Sequence, residues 1–528
     1  MKKSVIIFSF AAFLLGCADF LNVTPNKTGS SDIYHMDQLY GLMGKWDLYN
    51  GGTGSHWPEL LFSGDAVDIS PYFYTVVKPS ETPYNNWSWD PAYRRDFNII
   101  VTTWSRWNGV FTCNIVLEKM DHVIQTTPEI RKQVEGEALY GRAYCHFLFI
   151  VQYSLWGDDA PGMGYRVNTD PGEIPPRNTV KYTMDNIIAD LDNAEKCLTE
   201  AGRTKFELHR NFRPTVPTVQ ALKARVHLYR GNYSLALENA NAALAAYDYL
   251  LVIKDEPLYE PTLYNIFVLD QTNRRVVDTL KYRVMAKMND LGSSEAISSY
   301  PEFYHPGNTN YYYGNRMIPL SEYYYNLFDH ENDERWKLFY NNYYSVYNSA
   351  IAKTILLEGN TTTTAKCFTW EDQQGIKEWH RHAYGRFGAT TARHSIVGTT
   401  TAEMYLIKAE CLARAGNTTE AANVLRALRR TRFTTQAAAD NYGGSIQEVL
   451  DERAREMTEI WRFYDIKRLN GAENANIILK RTIMTDRTDV NSAIDIEILP
   501  NDPRWALSIP LDQCILMGWE RNEWEAPQ

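Results

Sequence analysis

The chain has 528 residues, 44% hydrophobic and 22% charged, a globular balance without disordered bias, and at roughly 100–200 residues per domain its length fits about three domains or one large unit. Its formal charge of −10, from 54 Lys+Arg against 64 Asp+Glu, argues against nucleic acid or an anionic membrane face as partner, since both need a basic footprint. Aromatic content reaches 13%, with 14 Trp, 35 Tyr and 20 Phe, and tyrosine in excess of what a core needs points to rings used at the surface for recognition.

Lys2 and Lys3 precede an apolar run from Val5 to Leu15. The run is too short for a spanning helix of about 20 residues but fits a secretory leader. It ends in Leu14-Leu15-Gly16-Cys17, a small residue directly before a cysteine, which looks like a bacterial lipoprotein signal; Leu15 is bulkier than the usual residue at its place. On this reading residues 1–16 are removed and Cys17 is acylated as the new N-terminus. The alternative is a plain signal peptide with an incidental cysteine. Loss of Lys2 and Lys3 takes the formal charge from −10 to −12. Several acyl chains anchor stably where one does not, and no other stretch resembles a span, so the chain reads as tethered, not embedded. The other cysteines, Cys113, Cys145, Cys197, Cys367, Cys411 and Cys514, show neither zinc-type pairs nor disulfide density. Cys145 and Cys411 sit in helical stretches and read as buried thiols.

Residues 17–34 form a polar tether, and 35–48 read as a helix. Residues 50–96 crowd glycine, proline and aromatics without period. Here Tyr72, Phe73, Tyr74, Tyr84, Trp87 and Trp89 alternate with Asn85, Asn86 and Asp90, and Asp65 and Asp68 precede them. From Trp104 to Ile124 a helical pattern places Trp107, Phe111, Ile115 and Met120 along one side. Pro128 opens a long helix to about Trp156, ended by Gly157-Asp158-Asp159-Ala160-Pro161-Gly162. Thr183 to Leu198 is amphipathic, with Ile187, Ile188, Leu191, Ala194 and Leu198 as its apolar stripe.

An internal similarity follows. Ala224, Gly231-Asn232 and Ala236 recur at a constant offset as Ala409, Gly416-Asn417 and Ala421. Each set describes a helix, a tight glycine turn and a second helix with alanine where the two cross, the frame of a tetratricopeptide hairpin. Such hairpins stack, often around a concave surface. Between them, 251–392 lacks sustained helical period and predicts a loop-rich insertion carrying small strands or short helices. It includes Tyr311-Tyr312-Tyr313 and Thr361–Thr364. Ser445–Asn470 reads as helical, with opposite charges three and four apart that usually mean surface ion pairs. Arg462, Asp465 and Arg468 read alternatively as a clamp between scaffold and loop half. Asn501–Leu516 reads as extended.

The leader followed by Asp19-Phe20-Leu21 and Pro25 resembles the start of SusD/RagB family lipoproteins. So do Trp107-x3-Phe111-x2-Asn114, Glu137-Ala138-Leu139-x2-Arg142-Ala143-Tyr144, and Ala402-Glu403-Met404-Tyr405-Leu406-Ile407-x-Ala409-Glu410. The series continues with Glu452-Arg453-x2-Glu456-x2-Glu459-x2-Arg462-x2-Asp465-x-Lys467-Arg468, then Leu507-x-Ile509-Pro510 and Trp519-x2-Asn522. These matches run in family order over nearly the whole chain. The resemblance implies a mainly α fold: four tetratricopeptide-like helix pairs with a loop-rich, mixed half that carries the ligand site. The expected layout is one unit over 35–528, with the scaffold mainly in 35–49, 104–250 and 393–470 and the ligand half mainly in 50–103 and 251–392. It implies a surface lipoprotein of the outer membrane that passes glycan, or in RagB-type members oligopeptide, to a SusC-type TonB-dependent transporter, without catalysis or cofactor.

A sugar ring offers a C–H face on which aromatic rings stack while amides and carboxylates bond its hydroxyls, so the site needs rigid rings with polar groups between them. The candidates are Tyr72, Tyr74, Asn86, Trp87 and Trp89, then Tyr311 and Tyr312, with Asp65 orienting a hydroxyl. Their bland alternatives are a loop packed down by its own rings and, for Asp65 and Asp68, a helix cap. Trp336, Trp370 and Trp379 are weaker candidates, and Trp336 follows Asp333-x-Arg335, a pattern that looks structural. His380-Arg381-His382 lacks the further ligands of a metal site and reads as a solvated loop. No GxSxG, HExxH, P-loop or strand–helix GxGxxG is present. The rival reading from another class is a surface glycoside hydrolase, needing two carboxylates about 5–10 Å apart across an aromatic cleft, for which Asp65, Asp68 and Asp90 are the available groups. An adhesin with a flat protein-binding face is the third.

Overall fold

The structure is a computed structural model. It describes residues 33–44, 64–65, 89, 107–207, 213–252, 259–269, 274–285, 318–319, 321–335, 340–342, 354–357, 364–365, 382–384, 398–457, 461–484, 493–509 and 511–522. Helices dominate, as the periodicity predicts. They are α1 (Met36–Met43), α2 (Trp107–Lys119), α3 (Pro128–Tyr153), α4 (Val180–Glu200), α5 (Val216–Arg230) and α6 (Tyr233–Ala246). After the strand-bearing region come α8 (Thr401–Arg414), α9 (Thr418–Arg432), α10 (Gln436–Asp440), α11 (Ile446–Glu456) and α12 (Trp461–Glu473). Among the described residues no helix is long and apolar enough to cross a membrane.

The helices pack in sequence order, α2 on α3, α3 on α4, α4 on α5, α6 on α8 and α8 on α11, giving the stacked-pair scaffold. Pro128 occupies the first turn of α3, where its missing N–H costs nothing, and the Thr127 hydroxyl accepts from the Ile130 amide. The two repeated hairpins agree down to their hydrogen bonds. Gly231 and Gly416 both take φ +81°, a left-handed conformation open to glycine. Asn232 N donates to His227 O at 2.8 Å, and Asn417 N donates to Leu412 O at 2.9 Å, the same helix-ending pattern in both. Ala224, Ala236, Ala409 and Ala421 are fully buried, so backbones approach where the hairpins cross. Ala221, Ala224, Ala236, Ala240 and Ala243 pack with Met404, Ile407 and Cys411 across that contact.

Four local expectations shift. In α2 the buried face is Val110, Cys113, Asn114 and Val116, while Phe111 is 44% exposed. The small residues, not the large rings, let α2 approach its neighbours, and Trp107 lies half-buried against Phe149 with ring centres 4.6 Å apart. Region 251–392 carries long strands as well as short ones: β1 (Tyr259–Leu269) and β2 (Arg274–Met285) form an antiparallel hairpin with a bulge at Ile266/Phe267. β5 (Thr354–Leu357) and β6 (Thr364–Ala365) extend it in the order β2-β1-β5-β6. β3 (Ile318–Pro319), β4 (Tyr340–Asn342) and β7 (His382–Tyr384) form a second sheet in the order β3-β7-β4, so His382 stands on a paired strand rather than in a loop. A short helix α7 (Glu322–Asn326) lies between β3 and β4. The C-terminal stretch is only partly extended: after the hairpin β8 (Leu479–Met484) and β9 (Ala493–Ile498), Pro503–Trp505 is a 3-10 turn and α13 (Leu511–Met517) is helical. Finally, the charged residues of α11 and α12 within the run 452–468 are mostly buried, with Glu452, Arg453, Arg455, Arg462, Asp465 and Arg468 each under 8% exposed. Neighbouring helices supply their partners, so the surface ion pairs expected there are core ties.

Those ties lie mostly on the sequence motifs. Arg142 on α3 holds Asp190 on α4 through two bonds of 2.7 and 2.8 Å and donates to Asn114 on α2 at 3.1 Å. Arg225 on α5 grips Glu403 on α8 at 2.7 and 2.6 Å, joining the two repeated hairpins. Arg468 on α12 grips Glu410 on α8 at 2.7 and 2.8 Å. Burial pushes Glu410 up, but the Arg468 guanidinium outweighs it and holds the carboxyl at about 2. Asn522 closes the chain by donating to Tyr153 O and Leu507 O, each at 2.7 Å. Cys113, Cys145, Cys197, Cys411 and Cys514 are buried free thiols.

Candidate functional site

Of the residues singled out for ligand contact, Asp65 and Trp89 are described. Tyr72, Tyr74, Asn86, Trp87, Tyr311 and Tyr312 lie outside the described residues, as do Cys17, Asp68, Asp90, Trp336, Trp370 and Trp379. Both described candidates sit at the seam between scaffold and loop-rich half, and both face inward. Trp89 is 1% exposed. Its ring lies beneath the Arg481 guanidinium, whose carbon is 3.7 Å from the ring centre, a cation–π contact from β8. The open stacking face expected of Trp89 is therefore taken up inside the protein. Its backbone holds φ +52°, a conformation bulky L-residues rarely adopt.

Asp65 is likewise engaged. Arg462 on α12 donates Nε to both carboxylate oxygens at 3.0 and 3.2 Å and Nη2 to Oδ2 at 2.8 Å. The planar guanidinium fork matches the carboxylate, the arrangement that suits arginine over lysine. Arg462 also donates to the Tyr323 hydroxyl at 3.2 Å. Asp65 thus caps no described helix, and its carboxylate serves the seam.

Further contacts join these segments, mostly through arginines on helices, on strand β8 and in the 321–335 stretch. Arg481 Nη2 donates to the Gly64 carbonyl, and Ser321 Oγ donates to the Asp65 carbonyl. Arg455 on α11 donates to Leu327 O at 2.7 Å, and Arg432 on α9 donates to Leu251 O at 2.8 Å. Arg335 is fully buried between Asp333, Glu452 and Glu456 at 2.8, 2.8 and 2.7 Å, bearing out the structural reading of its motif. Burial opposes ionisation of Glu456, yet Arg432 and Arg335 hold it at about 2. Burial likewise opposes Glu452, and Arg455, Arg335 and Arg429 keep it well below the usual carboxylate range. These carboxylates are ionised counterions at neutral pH, not acids poised for proton transfer. Arg462 acts as the expected clamp. Asp465 and Arg468 do not: Asp465 pairs with Arg453 and Arg468 inside the helical half. Among the described residues no group of three or more His, Cys, Asp or Glu is placed to hold a metal.

Arg481 and Tyr323 escaped the sequence reading. Arg481 stands in a strand with no motif around it, and its partner Gly64 lies 417 positions away. Nothing local marks such a residue.

Comparison with known proteins agrees with this architecture. A family profile described as "Starch-binding associating with outer membrane" (SusD-like) matches residues 60–228, and the SusD family profile matches residues 283–489. SusD-like protein P38 of Formosa agariphila is 22% identical over 244 residues, covering 44% of this chain and 42% of that protein. The chain thus aligns with less than half the length of that relative. Solved structures align along their whole length. A SusD superfamily protein from Bacteroides vulgatus superposes with TM-score 0.58 at 17% identity, covering 94% of this chain and all of the other. One from Bacteroides thetaiotaomicron gives 0.57 at 17%, covering 93% and 100%. A SusD-like carbohydrate-binding protein from Bacteroides vulgatus gives 0.56 at 15%, covering 92% and 97%. The chain belongs to the SusD family.

Proposed function

We propose that this protein is a lipid-anchored glycan-capture protein of the outer membrane, facing the cell exterior. It binds oligosaccharide or polysaccharide without cleaving it and hands it to a SusC-type TonB-dependent transporter. Family membership carries the reading, because the family motifs run in order on the stacked-pair scaffold that its relatives share. The aromatic surplus supports it, as does a seam whose carboxylates are neutralised by arginine rather than paired as acid and base. In this reading Tyr72, Tyr74, Asn86 and Trp87 form one contact platform and Tyr311 and Tyr312 a second, with Cys17 the acylated residue. Asp65 and Trp89, engaged by Arg462 and Arg481 within the protein, are not ligand contacts in this reading.

Calorimetry of the purified chain against a panel of polysaccharides and peptides tests this. A glycan is expected to bind, and Trp87→Ala or Tyr72→Ala to weaken it by about 1–3 kcal/mol each, the range of a stacked anchor. Binding of peptides alone would replace the glycan with an oligopeptide. New reducing ends in the glycan mixtures would overturn the claim of binding without cleavage.

A further inference from the structure

Tyr323 on α7 is 39% exposed, yet it is held from inside the protein. Arg462 Nη2 donates to its hydroxyl at 3.2 Å, and the guanidinium carbon lies 5.3 Å from the ring centre. Arg462 itself is buried and fixed by the Asp65 carboxylate at 2.8–3.2 Å. The helix under the ring is fixed as well. Tyr324 and Phe328 are buried, and the Tyr324 hydroxyl donates to Ala454 O on α11. Burial pushes the Tyr323 phenol up; Arg462 opposes this, and the Asp65 and Asp451 carboxylates add to it. Near neutral pH the group is therefore an uncharged O–H with two carboxylates close by. The bond from Arg462 is the one its hydroxyl makes among the described residues. The charges around the ring do not balance. Asp65 neutralises Arg462 and Glu452 neutralises Arg455, whereas Asp451, half-buried on α11, is in no ion pair among the described residues and accepts from Gln447 Nε2 at 2.8 Å.

We infer that Tyr323 is a ligand-contact ring that takes the C–H face of a neutral sugar, with Asp451 accepting from the sugar hydroxyls. This rests on the glycan-capture reading and narrows it to uncharged glycans. A tyrosine offers an apolar face and a polar tip, and a carboxylate beside it supplies the directional bonds that a stacked sugar needs. The ring is already ordered by Arg462, so little rotamer freedom remains to be lost when a ligand stacks on it. A uronate or sulfate group would meet the unpaired Asp451 charge, and like charges set face to face are disfavoured.

The test compares the full chain with Tyr323→Ala, Tyr323→Phe and Asp451→Asn by calorimetry against the tightest-binding neutral glycan of the panel. Tyr323→Ala should weaken binding about tenfold or more, the loss of a stacked anchor. Tyr323→Phe keeps the ring and should lose less than about threefold, and Asp451→Asn should fall between the two. Unchanged affinity in Tyr323→Ala overturns the contact. An equal loss in Tyr323→Phe also overturns it, because Tyr323 would then act through its bond to Arg462 and not through its face. Should Tyr323→Ala fail to fold, hydroxyl-radical footprinting of the wild type decides the matter. Saturating glycan should slow oxidation of Tyr323, and an unchanged rate overturns the contact. Uronate-bearing glycans that bind the wild type as tightly as their neutral counterparts overturn the role of Asp451. A wild type that binds acidic glycans alone overturns this inference and leaves the capture reading standing, whereas one that binds no glycan overturns both.

Discussion

Lys467 lies on α12 with its ammonium fully inside the protein, donating to Val151 O at 2.5 Å and Ser154 O at 2.9 Å. These carbonyls end α3, where no further helical N–H is available and the helix dipole favours a cation. Burial nevertheless pushes the group down to about 7. The unfolded chain therefore holds this proton up to the ordinary lysine range near 10.5, while the folded chain releases it near 7. Between those values the unfolded state binds more protons, so stability rises with pH across the window, and below it the cost of the buried charge is fully present. Lys467→Met removes the titration. Urea unfolding at pH 7 and pH 9 should show wild type gaining about 1–3 kcal/mol relative to the variant; equal pH slopes for both proteins would refute the assignment. The same scale shows why the run from Glu452 to Arg468 misled. Charges three and four apart look alike whether a helix faces water or a neighbour, and only partners from α8, α9 and the Arg335 turn reveal the second case.

At the level of elements, the repeated hairpins were legible because their signals are local. Glycine at a left-handed turn and alanine at a helix crossing are demanded by backbone geometry and close approach, and both recur at the same spacing. Ala409 tests the crossing. It is fully buried in a cluster with Leu406, Leu425, Leu428 and Val449, so Ala409→Leu should overpack it and cost about 1–3 kcal/mol. A lower urea midpoint at unchanged slope is the expected readout. Leu235→Ala, on a 42% exposed neighbouring hairpin position, should move the midpoint little. The α2 face was misassigned for a related reason. Large apolar residues on a helix need not define its contact side when Cys113, Val116 and Gly109 allow a closer neighbour. The β1–β2 hairpin was only partly legible: Leu280-Lys281-Tyr282-Arg283-Val284 alternates as a strand should, but β1 contains Pro261 and the unbroken apolar run Ile266–Leu269, which hide the two-residue period.

For the molecule as a whole, the anchor proposed at Cys17 is directly testable. Cys17→Ala should abolish incorporation of a labelled fatty acid and release the protein from the outer-membrane fraction; label retained by the variant would rule out acylation at Cys17. The helices, the hairpin repeat and the family motifs could all be read along the chain, because each depends on neighbours within a turn or two. Which way Trp89 and Asp65 face could not. Their partners Arg481 and Arg462 arrive from the far end of the chain, 397 positions away for Asp65. A ring in an irregular segment is equally suited to a ligand or to a guanidinium from its own fold. Burial and charge pairing are properties of assembled neighbours, so folding alone turned two candidate contact residues into internal partners of Arg462 and Arg481.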